Sequence, residues 1–146
     1  MDVRSLGYVV IESAEPSKWL EYGRDILGLM PAPNMPDDGN VYLKIDERPF
    51  RFAIVKGDAE RLSRCGWELR DAQDFADAKQ RLTEAGVAFE EGSSDDAKAR
   101  RVRELIVLKD PSGNELELYW GGELDFAKFV SPLGISGFET GFNGDM

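Results

Sequence analysis

CGWELRDAQDFADAKQRLTEAG, residues 65 to 86, changes its period partway along. The first part alternates, which places Cys65, Trp67 and Leu69 on one face of a strand. From Asp74 onward Phe75, Ala78, Leu82 and Ala85 recur at helical spacing, and Gly86 stands where a left-handed C-terminal cap belongs. Three short strands follow: VAFEEG from Val87, ELIVLKD from Glu104 and ELELYWG from Glu115. The order is strand, helix, then three strands.

The same order already occurs upstream. LGYVVIE (6–12) is a β-branched run before SAEP, and Pro16 suits the first turn of a helix. Trp19, Tyr22 and Ile26 then repeat at helical spacing beside Leu20 and Leu27, with Gly28 as the stop. After a Pro/Asn/Asp/Gly loop, VYLKID puts Val41, Leu43 and Ile45 on one face and Tyr42, Lys44 and Asp46 on the other. FRFAIV alternates again through Phe50, Phe52 and Ile54. The chain therefore reads as an internal duplication. Unit one covers about residues 1–60 and unit two about 61–121, with 122–146 a linker or tail that has no period of its own. The fold class is α+β: paired βαβββ units whose mixed sheet forms a cup, with the helices on its outer face.

Bulk properties narrow the function. At 146 residues the chain can bury a core, and 42% apolar with 32% charged residues is ordinary for a globular domain. A net charge of -10 opposes nucleic-acid binding. There is no membrane-length apolar run, and one cysteine allows no internal disulfide, so a cytoplasmic setting is expected. The chain has no histidine. Cys65 and Ser93, Ser94 and Ser112 thus lack an activating base, and nucleophilic catalysis is not expected of them.

RSLGYVVIES (4–13), ILGLM (26–30), YLKID (42–46), WELRDA (67–72), ARRVREL (99–105), KDPSGNELELYWG (109–121) and SGFETG (136–141) occur in one continuous order. Together they resemble the N-terminal domain of the type I extradiol dioxygenases of the vicinal oxygen chelate superfamily, the 2,3-dihydroxybiphenyl 1,2-dioxygenases being nearest. The resemblance implies a two-domain enzyme that cleaves catechols with Fe(II) and dioxygen. Its iron is held by two histidines and a glutamate in the C-terminal domain, so the catalytic half is absent from this chain and Met146 falls at the seam. The partners implied are that C-terminal catalytic domain, further copies in a homo-oligomer and a small aromatic substrate, with no nucleic acid and no membrane.

Carried across by the internal repeat, the family's ligand positions fall on Tyr8, on Arg64 (Cys65 if the register slips by one) and on Glu117. A phenol, a guanidinium and a carboxylate are not expected to bind metal, so no cofactor and no catalytic residue are assigned to this chain. Arg64 can instead pair with Glu117. Glu115 and Glu117 share a strand face, as do Glu68 and Arg70, which suggests an ion-pair lattice rather than acid–base chemistry. ARRVR (99–103) beside SSDD (93–96) reads as a solvated loop. Phe126, Phe129, Phe138, Phe142 and Trp120 are expected to form an apolar strip facing the missing domain. The alternative is a free-standing, metal-free ligand-binding protein of the bleomycin-resistance type. An active single-domain metal enzyme would need histidines.

Overall fold

The computed structural model describes residues 2–140. Chain contacts divide these into two compact units. One, the α1 unit, comprises Tyr8–Ser63 and the segment from Leu124 onward; the other, the α2 unit, comprises the run up to Gly7 and Arg64–Glu123. Phe142 and Met146 lie outside the described residues.

The elements in chain order are β1 (Val3–Ser13), α1 (Pro16–Asp25), β2 (Met30–Pro31), β3 (Val41–Lys44), β4 (Phe52–Lys56), β5 (Arg61–Leu69), α2 (Ala72–Glu84), β6 (Phe89–Glu91), α3 (Ser94–Arg100), β7 (Glu104–Lys109) and β8 (Glu115–Trp120). In the α1 unit the strand order is β2-β3-β4-β1, and in the α2 unit it is β5-β8-β7-β6. Both sets pair their first strand with their last in parallel, β1 with β4 and β5 with β8. Their remaining pairs are antiparallel. A parallel pair needs a crossover between its strands, and each unit's helix lies in that crossover. The shared topology is the βαβββ duplication.

Helix α2 forms where its spacing places it. The Asp71 side chain accepts from the Asp74 backbone N–H at the N-terminus. At the other end Gly86 adopts φ +69, its N–H donates to Thr83 O, and Val87 N–H donates to Leu82 O. That is the Schellman pattern, and the left-handed residue it requires is glycine. Phe75 and Ala78 pack with Leu69, Ile106 and Leu118, while Leu82, Trp67 and Trp120 flank the cluster. Full burial of each large member contributes about 1.5–3 kcal/mol.

Helix α1 departs from the sequence reading in its face. Pro16 and Gly23 are buried and Trp19 and Leu20 join the core, whereas Tyr22 and Ile26 are exposed. The helix is seated through Gly23 because no side chain separates it from Leu43. A Cβ there would lie 2.5 Å from Leu43 Cδ1, and Leu43 is itself buried. Gly23→Ala gains about 1 kcal/mol in helix propensity yet forces a repacking that costs about 1–3 kcal/mol. The expected result is a net loss of about 1 kcal/mol in the unfolding free energy from urea denaturation; a stabilised variant would show that this contact is loose.

Two further expectations are corrected. Phe50 does not share a face with Phe52 and Ile54. Strand β4 starts only at Phe52, and the irregular turn before it rotates Phe50 onto Tyr8 and Tyr42, with ring centroids 5.7 and 5.5 Å apart. The SSDD/ARRVR stretch is not a loop throughout, since Ser94–Arg100 is helix α3. Ser93 and Asp96 form a reciprocal capping box there, each side chain accepting from the other's backbone N–H.

The segment from Leu124 onward is held as a strap on the α1 unit. Asp125 N–H donates to Glu47 O, and the Ser131 hydroxyl donates to Gly28 O. Val130 N–H meets the Met30 sulfur at 3.3 Å, and Phe138 packs on the cluster of Leu29, Leu43 and Ile54. The strap thereby runs beside the short edge strand β2, which it meets at the Met30 side chain.

It also corrects the expected apolar strip. Phe129 and Phe138 meet edge to face with centroids 5.8 Å apart, and Trp120 packs on the α2 core with its Nε1 donating to Glu104. Of the expected residues Phe126 is fully exposed, and the other exposed large apolar residues of the strap, among the described residues, are Leu124, Val130, Leu133 and Ile135. Among the described residues no helix is long and apolar enough to cross a membrane.

Candidate functional site

In the α2 unit the parallel register of β5 and β8 sets Arg64 opposite Glu115, Cys65 opposite Leu116 and Gly66 opposite Glu117. Leu118 faces the helix, so the carboxylates at 115 and 117 point the other way. Arg64 reaches across to both: its Nε donates to Glu115 Oε2 at 2.8 Å and its Nη1 to Glu117 Oε1 at 3.1 Å. The pairing of Arg64 with Glu117 is therefore as the residue types suggest.

The second guanidinium is the one that sequence reading missed. Arg100, the last residue of α3, donates from Nε to Glu117 Oε2 at 2.9 Å and from Nη2 to Oε1 at 3.2 Å. Glu117 is only 1% exposed, so both its oxygens are engaged away from water by a two-pronged guanidinium and a second cation. The signal was present in the sequence. A Ser93-x-x-Asp96 box starts a helix, and two turns later it must present Arg100 on a defined face. Arg70, by contrast, does not join this cluster; it turns to Asp74 of α2 at 3.1 Å. The proposed lattice through Arg70 is thus replaced by one through Arg100.

The electrostatics follow from this geometry. Burial acts to lower the basicity of Arg64, but hydrogen bonds and charge from Glu117 and Glu115 outweigh it, and the guanidinium is held more basic than usual. Asp96 is held below the ordinary carboxylate range, first by the Ser93 hydroxyl and backbone, with Arg100 and Arg64 adding to the effect. Burial pushes the Cys65 thiol up, away from the nucleophilic thiolate. Tyr8 lies in the other unit, buried with its ring tilted against that of Phe50.

These positions do not fit Fe(II). A guanidinium stands at Arg64, the Glu117 carboxylate is taken up by two cations, and Fe(II) prefers imidazole and free carboxylate oxygen. Among the described residues no group of three or more His, Cys, Asp or Glu side chains could hold a metal ion. Chemically, two guanidinium groups and two carboxylates neutralise one another, which makes the cluster a brace between β5, β8 and α3.

The fold is that of the vicinal oxygen chelate superfamily. Within it, the chain corresponds to the N-terminal domain of the type I extradiol dioxygenases. The model of the dihydroxybiphenyl dioxygenase BphC D1 family matches residues 6–57. An iron-dependent extradiol dioxygenase of Rhodococcus jostii strain RHA1 is 42% identical over 99% of this chain and 47% of its own length. A biphenyl-2,3-diol 1,2-dioxygenase of Paraburkholderia xenovorans strain LB400 is 36% identical over 99% of this chain and 48% of its own. A crystal structure of a catechol 2,3-dioxygenase superposes with a TM-score of 0.89 at 28% identity, over 97% of this chain and 50% of that one. The chain spans about half the length of the curated relatives it matches. Relatives of this kind do not favour the bleomycin-resistance alternative.

Proposed function

We propose that this chain is the non-catalytic N-terminal half of an Fe(II)-dependent extradiol dioxygenase that cleaves catechols such as 2,3-dihydroxybiphenyl in aromatic-compound degradation. The observation that carries the reading is the state of Glu117. The strand position where the family's metal-binding repeat has its carboxylate ligand here bears a carboxylate already held by Arg64 and Arg100. The iron and the reacting catechol therefore belong to a companion domain, which the relatives' doubled length supports. This half supplies packing surface, and the exposed apolar residues of the strap suit contact with that domain or with further copies in a cytoplasmic oligomer.

The test is reconstitution. The chain, purified and supplied anaerobically with Fe(II), is mixed with 2,3-dihydroxybiphenyl and oxygen, alone and joined to the C-terminal domain of its Rhodococcus relative. No coloured ring-cleavage product is expected from the chain alone, and turnover with bound iron is expected from the joined protein. Turnover by the chain alone would overturn the assignment. So would an inactive fusion that nonetheless folds and binds iron.

A further inference from the structure

Lys44 lies on the face of β3 away from α1, a position at which an ammonium group would normally reach water. Here it is fully buried. A cation withdrawn from water needs a fixed anion and hydrogen-bond acceptors. Both come from the strap: Nζ donates to Asp125 Oδ2 at 3.0 Å and to the Ala127 carbonyl at 2.5 Å. The other carboxylate oxygen, Asp125 Oδ1, accepts from Asn34 Nδ2 at 2.9 Å and from Ala127 N–H at 3.0 Å. Two of these donors, Lys44 and Asn34, belong to the body of the α1 unit and address different oxygens of one carboxylate. The carboxylate and the two Ala127 backbone groups arrive from far along the chain, on a segment without regular structure.

We infer that Lys44 and Asn34 build a carboxylate-binding site on the α1 unit, filled in the folded chain by Asp125 of its own strap. The strap is thus a tethered ligand. Because tethering gives Asp125 a high effective concentration, free carboxylates do not displace it from the intact chain. The ligand class is a small monocarboxylate or an acidic side chain, since two separate donors on two oxygens discriminate against a spherical anion. The inference stands independently of the dioxygenase reading, because every group in it belongs to this chain.

Small-molecule rescue tests it. Asp125→Ala removes the tethered carboxylate and leaves Lys44 and Asn34 in place. Its melting temperature is measured in sodium formate and in sodium chloride at equal ionic strength. Saturating formate is expected to raise it by about 4 °C over chloride. The parent chain and the double variant Lys44→Met with Asp125→Ala should show no difference between the salts. Equal behaviour of formate and chloride on Asp125→Ala would overturn the site, as would an equal formate effect on the double variant. If Asp125→Ala does not fold in chloride, refolding yield from urea in the two salts reads the same contrast: recovery in formate alone supports the site, and equal failure in both overturns it.

Discussion

Glu117→Ala is expected to cost about 3 kcal/mol of stability, since removing one partner of a buried ion pair strands the other charge. Here two guanidinium groups would lose their shared anion. Arg100 is 17% exposed and Arg64 32%, so part of the cost is relieved by water reaching Arg64. The loss should be uneven. Hydrogen exchange in α3 should rise most, because Arg100 is the side chain tying that helix to β8. Glu117→Gln keeps the shape and one acceptor and should lose about half as much. Urea denaturation of the three proteins gives the values. A loss below about 1 kcal/mol for the alanine variant would mean the pairs behave as solvated surface pairs and brace nothing.

Lys44→Met should be comparably damaging, about 3 kcal/mol, because Asp125 would remain buried with its cation gone. The informative comparison is the double variant Lys44→Met with Asp125→Leu. With both charges replaced by apolar groups, stability should return to within about 1 kcal/mol of the parent. Failure of that recovery would show that the acceptor and donor bonds around the pair, rather than the charges, hold the strap.

The pair also shapes the acid limb. Burial pushes the Asp125 carboxyl up, but the Ala127 N–H, Lys44 and Asn34 outweigh it and hold it below the usual range. At Asp46 burial is likewise outweighed, chiefly by Arg51. A carboxyl whose folded value lies below its unfolded one contributes stability that is complete above the unfolded value and is lost as pH falls through the folded one. The parent chain should therefore weaken on acidification below about pH 4. Lys44→Met, with one depressing partner removed, should show a shallower decline.

The periodic parts of the fold were legible because local chemistry decides them. Alternation in ELELYW, the 3.6-residue spacing of Phe75, Ala78 and Leu82, and the glycine cap at 86 each have one physical reading. What escaped was decided by partners distant in sequence. Tyr22 and Ile26 fit a helical repeat as well as Trp19 does, but the helix is seated through Gly23, and glycine carries no hydrophobic signal. Lys44 occupies a strand's polar face in the alternation, yet it is buried because Asp125 covers it. Of the candidate site, the Arg64–Glu117 pair could be read from residue types at repeat-related positions. Arg100 is signalled only by the Ser93–Asp96 cap that starts α3, since the mixed charge of the stretch alone reads as a solvated face.

The strap also dictates an order of events during translation. Lys44 leaves the ribosome 81 residues before the carboxylate that neutralises it. At about 5–20 residues per second, that interval lasts about 4–16 s. A nascent α1 unit that formed its sheet in that interval would carry an uncompensated ammonium group, which would hold that face hydrated. A ribosome stalled short of Asp125 should display a Lys44 that amine-reactive reagents can still reach.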